Sequence, residues 1–446
     1  MRVLLFHGYM LRGTGSNIYN VNLARALARL GHEVHLLCQD REVGVEGVEI
    51  HNPDIGGLLP VYVKDPYEGF EVKAFPELTE SELDIYVEAN VAAVRAVAES
   101  TGGFDAALAN HLVMGPAILA RAAVGPFAAK IHGSALEYTV KPNPRFLPYA
   151  YEGMEAASGV LVGSGHTAAS LWAALPDLPG LEEKTRLGPP GVDVEEFRPG
   201  GDRGPLVAFV GKLIVSKGVD LLIAAWPLVR AEHPRVRLQI AGYGEYEDGL
   251  RRLLAALDRG DLDDARELAR LGRALEGGEE KPLPILSAFL ADPPPGYLEA
   301  AAGIAGSIEL IGRLEHDEVA ALLPRAEALV MPSTFPEAFG MVAVEAAACG
   351  ALPVSAGHSG MLEVSRQLAA NLPVGVGELT SFAVEPGAVA AIAGRLNGWL
   401  ALPERSREEA RRELVTTVRR LWSWEGVARG ALAASAGELG DLPLPG

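Results

Sequence analysis

Cysteine is nearly absent: Cys38 and Cys349 are the only two in 446 residues, far apart in sequence. That excludes the dense pairing of a secreted disulfide scaffold. No stretch reaches the roughly 18 uninterrupted apolar residues of a membrane-spanning helix. The N-terminal run Met1-Arg2-Val3-Leu4-Leu5-Phe6-His7 has too short an apolar core for a signal peptide. Basic residues are scarce too, 39 against 58 acidic ones, for a net charge of −19. The deficit is even, net −10 over residues 1–200 and −9 over the remainder. With no basic half or tail, duplex nucleic acid and anionic membrane are poor partners. A soluble cytoplasmic protein is expected, its oligomeric state left open.

What is present is a globular composition, 49% hydrophobic and 22% charged, long enough for two or three domains. The first forty residues read as one β-α-β unit. Val3–Phe6 is a continuous apolar run, as in a strand buried on both faces. The glycine-rich loop Gly13-Thr14-Gly15-Ser16 comes next, then apolar residues at helical spacing from Ile18 to Leu30, a stop at Gly31, and a strand at Glu33–Leu37. Further strands are predicted at Ala106–Ala109, Ala128–Ile131 and Val160–Val162. The pattern restarts with Leu206–Val210, a helix at Asp220–Val229, then Arg237–Ala241, Ile308–Ile311, Ala328–Met331 and Leu352–Val354. Strands alternating with helices imply parallel sheets covered on both faces. The fold class is therefore α/β, with two doubly wound, Rossmann-like domains in tandem. Residues 1–195 form the first and 196–419 the second. Between about 247 and 305 two amphipathic helical stretches interrupt the alternation, one from Leu250 to Leu257 and one from Leu262 to Leu275. Pro282, Pro284 and Pro293–Pro295 break the segment after them. This is a helical insertion of unassigned purpose.

The segment 332–345 carries the most chemical information. It leaves a strand and opens a helix that Gly350 should end, and open α/β sheets place ligands where a strand's carboxyl end meets a helix N-terminus. Backbone N–H groups near Phe339, Gly340 and Met341 would offer a diphosphate the positive end of the helix dipole. Eight residue steps separate Glu337 from Glu345, about 12 Å if fully helical. Ala343, Val344, Ala346, Ala347 and Ala348 describe a helix buried nearly all round, so Glu345 needs a hydrogen-bonding partner. Lys212 and Lys217 come after the strand Leu206–Val210 and are candidates to neutralise a pyrophosphate. In the first domain, His132 and the pair Asn110-His111 end predicted strands. A histidine there serves equally as a strand cap or as a hydrogen-bonding group for a sugar hydroxyl. Residues 60–75, with Tyr62, Lys64, Tyr67 and Lys73, read as an aromatic loop that either lines an acceptor pocket or packs on the surface. No acidic Asp-x-Asp motif is placed for a metal.

Taken in order, these motifs resemble the family 4 glycosyltransferases of the GT-B fold. The resemblance runs from Gly13-Thr14-Gly15 and Leu30-Gly31-His32-Glu33-Val34 through Gly191-Val192-Asp193 and Phe197-Arg198-Pro199. It continues through Lys217-Gly218-Val219-Asp220-Leu221-Leu222, Ala241-Gly242-Tyr243-Gly244 and Gly312-Arg313-Leu314 to the glutamate pair and Ala348–Val354. It implies two domains whose sheets face a central cleft, and transfer of a hexosyl unit from a nucleotide-diphosphate sugar (UDP-, GDP- or ADP-linked) to an acceptor hydroxyl. It further implies retained configuration, with no metal and no cofactor. On that resemblance Glu337 contacts the sugar hydroxyls and Glu345 the ribose, while Phe339, Gly340 and Met341 offer backbone. Lys212 and Lys217 hold the diphosphate, with Lys217, Glu337 and His132 the catalytic set. Gly15 approaches the diphosphate, His132 sits beside the transferred sugar, and Arg313 lies near the base. The last helix, with residues from about 420 to 446, crosses back to the first domain. Lys64, Asn110 and His111 are the acceptor-side candidates. The acidity of the first domain leans toward a soluble acceptor.

Three positions depart from the family pattern: Lys212 where arginine is usual, Ala338 where glycine is commoner, and Pro190 where asparagine is frequent. A lysine cannot make arginine's bidentate fork to phosphate. A nucleotide-sugar epimerase or a sugar phosphorylase would share the shape. A nicotinamide dehydrogenase would share the opening, with Asp40 after the second strand, but Ile18 stands where its fingerprint needs glycine.

Overall fold

In the computed structural model, residues 1–64, 67–200 and 203–445 are described. Asp65 and Pro66, inside the aromatic segment, lie outside the described residues. The chain divides into two compact units, Met1–Gly191 with Trp422–Gly446, and Val192–Leu421. Among the described residues no helix is long and apolar enough to cross a membrane.

The strands, in chain order, are β1 (Arg2–Phe6), β2 (Glu33–Leu37), β3 (Val48–His51), β4 (Leu58–Val61), β5 (Glu71–Ala74), β6 (Ala106–Asn110), β7 (Phe127–Ile131), β8 (Gly159–Val162) and β9 (Thr185–Leu187) in the first unit. The second unit adds β10 (Leu206–Val210), β11 (Arg237–Ala241), β12 (Ile308–Gly312), β13 (Ala328–Met331), β14 (Leu352–Ala356) and β15 (Ser381–Phe382). The first unit holds a seven-stranded parallel sheet in the order β3-β2-β1-β6-β7-β8-β9, and the second a six-stranded one in the order β12-β11-β10-β13-β14-β15. Strand order reverses between β1 and β6 in one sheet and between β10 and β13 in the other. Those reversals are the topological switch points above which such sheets bind ligands.

The apolar runs of these strands have a direct cause. In β1, Leu4 and Phe6 belong to the core on one face while Val3 and Leu5 belong to the core on the other. Both faces are covered, so every position from Val3 to Phe6 is apolar. The helix Gly15–Arg29 and the C-terminal helix Trp424–Ala436 cover the face carrying Val3, Leu5, Leu108, Ala128 and Leu161. The return of residues 422–445 to the first unit is fixed by several contacts. Ser435 Oγ donates to Ala107 O at 2.8 Å, Leu187 N to Pro443 O at 2.8 Å, and Trp424 meets Tyr19 edge-on with ring centroids 5.6 Å apart.

Four expectations change. The segment 60–75 is not one loop, because β4 and β5 pair as a separate parallel two-stranded sheet at its two ends. Gly15 lies inside a helix rather than a loop; it is the first helical residue, after Thr14. In the region 247–305, Gly272 at φ 49° ends the helix Leu262–Leu271, so Leu275 falls in a separate 3₁₀ turn. Pro284 does not break structure there but opens the helix Pro284–Ala291, since a first-turn proline sacrifices no helical hydrogen bond.

Trp424→Ala would leave a cavity against Tyr19 under the sheet. Loss of a buried tryptophan costs about 3–5 kcal/mol. Calorimetry should show the first unit melting about 6–20 °C lower.

Candidate functional site

In the second unit, the loops leaving β10 and β13 meet above the switch point. Thr334 N donates to Ser216 O at 2.8 Å. Gly218, at φ 66°, lies so close to Pro332 that a Cβ there would stand 2.1 Å from its carbonyl oxygen. Only glycine permits that approach. It brings Lys217, from the loop after β10, into an ion pair with Glu337, from the loop after β13, 120 residues away in sequence. Ser333 Oγ donates to the same carboxylate oxygen at 2.8 Å. The backbone of Glu337 is held as firmly: its N–H donates to Ser359 Oγ at 2.9 Å and its carbonyl accepts from Gly360 N at 3.0 Å. His358 Nε2 donates to Ser333 O at 2.9 Å, which leaves its Nδ1 to accept from the Ser359 hydroxyl at 3.1 Å. Serine, histidine and glutamate thus lock one another.

The next helix spans Met341–Ala348, with Gly340 at its N-cap and Gly350, at φ 77°, just past its end. Gly340, lacking a side chain, gives the N-terminus no capping hydrogen bond. Phe339 is buried, and Gly340 and Met341 are half-buried. Glu337 precedes this helix, so the fully helical span assumed between Glu337 and Glu345 is not realised. Glu345 sits on the helix, 5% exposed. Its carboxylate oxygen lies 3.1 Å from His316 Nε2, and His316 in turn faces Glu196 at 3.7 Å and the Phe197 ring at 4.8 Å. This is the partner a buried glutamate requires. Lys212 and Arg313 flank one aromatic ring, with Lys212 Nζ 5.9 Å and Arg313 Cζ 5.2 Å from the centroid of Tyr243. Arg313 also pairs with Glu315 at 3.0 Å.

In the helical region between β11 and β12, Glu276 reaches this site. Glu276 Oε2 accepts from Val215 N at 2.8 Å, at the start of the 3₁₀ turn Val215–Lys217. The Asp261-Leu262-Asp263 sequence within that region starts a helix, with Asp261 Oδ1 accepting from Asp264 N at 3.0 Å.

In the first unit the chain of polar side chains above β1, β6 and β7 can be traced donor by donor. Asn110 Nδ2 donates to Phe6 O at 3.1 Å and Asn20 Oδ1 at 2.7 Å, so its Oδ1 accepts from His132 Nε2 at 2.8 Å. Asn20 Nδ2 donates to Ser16 O at 2.8 Å and to His7 Nδ1 at 3.0 Å. His7 Nε2–H then donates to Asn17 Oδ1 at 2.8 Å and Met10 O at 3.1 Å. The network fixes His132 as the Nε2–H tautomer, with Nδ1 an acceptor. Burial pushes His7 down to about 4. Burial, and then neighbouring His111, Lys130 and His7, hold His132 well below the ordinary histidine value. Its neighbour Lys130, buried under the Tyr19 ring and donating to Gly188 O, is pushed down to about 7 by burial.

His111 stands apart. It adopts φ 69°, and both its ring nitrogens are buried with no hydrogen-bond partner among the described residues. Its ring lies 4.5 Å from that of Tyr62 and 4.9 Å from that of His132. Lys64 is turned elsewhere, exposed and paired with Glu77 at 2.7 Å. Asp40 is occupied structurally: it accepts from Leu11 N at 3.1 Å, Glu42 N at 3.0 Å and Val43 N at 3.1 Å.

Sequence reasoning left out His7, Asn17, Asn20, His316, Ser333, His358, Ser359 and Glu276. Asn17 and Asn20 carried a usable signal, two amides on the buried side of the first helix.

Comparison with known proteins gives the class. The family described as Glycosyltransferase Family 4 matches residues 13–196, and the family Glycosyl transferases group 1 matches 195–261 and 297–416, passing over 262–296. A D-inositol 3-phosphate glycosyltransferase of Frankia alni is 30% identical over 374 residues, covering 78% of each chain. The chain belongs to the group 1, family 4 glycosyltransferases, and its fold is GT-B. Sucrose-phosphate synthase from Thermosynechococcus elongatus shares that fold at TM-score 0.60 and 20% identity over 96% of both chains. So does the HepE protein of Anabaena, solved with UDP and glucose, at TM-score 0.60 and 16% identity over 99% of this chain and 100% of that one. The matched stretch spans about half the length of the glycogen synthases among its curated relatives.

The histidine network makes stability depend on acid. His7 binds its proton near pH 4 when folded and near its ordinary value of 6.5 when unfolded. The unfolded chain therefore binds more protons between these values. Its contribution is complete above pH 6.5 and is lost as pH falls through that window, about 2 kcal/mol at pH 5 for one such histidine. His111 and His132 act in the same direction. Melting temperature measured from pH 7.5 to 4.5 should fall below pH 6.5, and His7→Gln should flatten the fall.

Proposed function

We propose that the protein is a retaining, metal-independent hexosyltransferase that takes its sugar from a nucleotide-diphosphate donor held on the second unit and delivers it to an acceptor hydroxyl held on the first. The observation that carries this reading is the convergence of Lys217 and Glu337 beside the Gly340 end of the helix Met341–Ala348. Cation, carboxylate and helix N-terminus are the groups that a diphosphate and a sugar need at one place. The family membership and the UDP and glucose bound to HepE support the donor class.

In this reading Glu337 accepts hydrogen bonds from the donor's sugar hydroxyls. Lys217, an ammonium with three donors, serves the carboxylate and a phosphate oxygen together. Lys212 adds a second cation, and the N–H groups of Phe339, Gly340 and Met341 supply the dipole's positive end. Glu345, oriented by His316, accepts from the ribose, and Arg313 lies toward the base. The acceptor oxygen attacks the anomeric carbon from the face that the diphosphate leaves. The new C–O bond forms as the bond to the phosphate oxygen breaks, and that oxygen takes the acceptor's proton. The lysines and the helix end stabilise the charge that develops on the leaving group.

On the first unit His132 acts as a neutral acceptor through Nδ1, and Gly15 opens the helix that carries Asn17 and Asn20. Asn110 positions His132, and His111 offers its two unpartnered nitrogens to acceptor hydroxyls. Lys64 drops to a peripheral role, since Glu77 already holds it. A soluble, hydroxyl-rich acceptor suits this set and the unit's negative charge, and the working place is the cytoplasm.

NMR of the product should show the donor's anomeric configuration with turnover intact in EDTA; an inverted product would refute the mechanism. Donor incubated alone should give no epimer. In steady-state kinetics Glu345→Ala should raise the donor KM, whereas Lys217→Ala should lower kcat by about 100-fold or more, the scale of one lost transition-state donor. Unchanged kinetics in both variants would place the site elsewhere.

A further inference from the structure

Among the described residues, one group of three metal-ligating side chains converges on a single point: His35, Glu49 and His51. They come from β2 and from β3, the edge strand of the first sheet. Glu49 stands opposite His35 in the ladder and His51 opposite Leu37, so Glu33, His35, Glu49 and His51 share one face. His35 Nδ1 lies 3.0 Å from His51 Nε2 and 3.5 Å from Glu49 Oε2, and His51 Nε2 lies 3.8 Å from Glu49 Oε1. Two ligand atoms on a tetrahedral zinc, with bonds of about 2.0–2.1 Å, stand about 3.3 Å apart. The His35–His51 and His35–Glu49 separations bracket that value, and with one ligand atom from each residue the three lie within 4.8 Å of one another.

A histidine pair alone needs only one hydrogen bond, from His51 Nε2–H to His35 Nδ1. The surroundings of His35 add an independent sign. Its Nε2 faces Glu33 Oε1 at 3.2 Å, and Arg2 Nε donates to the same oxygen at 3.0 Å. A carboxylate accepts, so the His35 proton is on Nε2 and the Nδ1 lone pair points at the cluster. A carboxylate that receives the outer N–H of a histidine is the usual support of a metal ligand, since it fixes tautomer and ring orientation. Phe104, edge-on to His35 at 5.4 Å, holds the ring from the side. The site also has an entrance, because Glu49 is exposed and His51 half-buried while His35 is buried.

We propose that His35, His51 and Glu49 bind a zinc-class divalent ion that fastens the edge strand β3 to β2, with Glu33 as the positioning residue for His35. Two imidazoles and one carboxylate form a donor set that zinc accepts, with water completing four-coordination. On binding, His51 carries its proton on Nδ1 and turns its Nε2 lone pair to the ion. The ion belongs to the sheet edge and takes no part in glycosyl transfer.

The test uses the full chain, stripped by chelator dialysis and titrated with Zn²⁺ against a chromophoric competitor and separately with Co²⁺. Expected are one Zn²⁺ per chain, the visible absorption of four-coordinate Co²⁺, and a melting temperature that rises with Zn²⁺ concentration as ligand linkage requires. The double variant Glu49→Gln/His51→Ala, changed only at accessible positions, should lose all three while its metal-free circular dichroism matches that of the wild type. Glu33→Gln should keep the stoichiometry and bind about 10–100-fold more weakly. Absence of saturable binding in the wild type, or equal Zn²⁺ binding by the double variant, would overturn the proposal. None of these readouts depends on turnover.

Discussion

A parallel sheet whose strand order reverses leaves two neighbouring strands with their following segments turned to opposite sides. The space above their carboxyl ends is then filled by whatever those two loops carry. In the second unit the loops after β10 and β13 fill it with Lys217 and Glu337. In the first, the carboxyl ends of β1 and β6 and the segments after them fill it with His7, Asn110 and His111. The tight approach at Gly218, the paired serines on Glu337 and the amide chain from Asn17 to His132 all work within the space created by that reversal.

The two sites solve the problem of buried polarity in opposite ways. Around Glu337 a carboxylate is matched by an opposite charge and by a hydroxyl group. Around His132 the groups are kept neutral, and a directed chain of amides sets each tautomer. A charged site suits a ligand with its own charge. A neutral one suits hydroxyls, which must be recognised by donor and acceptor placement. At His111, whose two buried nitrogens have no partner among the described residues, the neutral network remains open.

Much of this was legible in the sequence, for physical reasons that differ by element. Glu33–Leu37 and Leu206–Val210 could be read to the residue because both faces of a central parallel strand are covered. Val48–His51 escaped notice because it is an edge strand carrying Glu49 and His51 on a partly exposed face. The need of Glu345 for a partner was readable from its alanine neighbours, but the partner was not. His316 lies 29 residues earlier, on another helix, and only the packing of the unit brings the two together. The network through His7 was hidden for the same reason, since its links join residues as far apart as Asn20 and Asn110. The cluster on β2 and β3 could be found only once the register was known.

The first unit is finished by residues 422–445. Ser435, Leu439 and Pro443 complete hydrogen bonds that β6 and β9 need, and Trp424 closes the core around Tyr19. On the ribosome, where domains generally mature in the order of synthesis, this protein must reverse the rule. The second unit has its whole sequence in hand by Leu421, while the first waits with part of one sheet face uncovered until the helix Trp424–Ala436 has emerged.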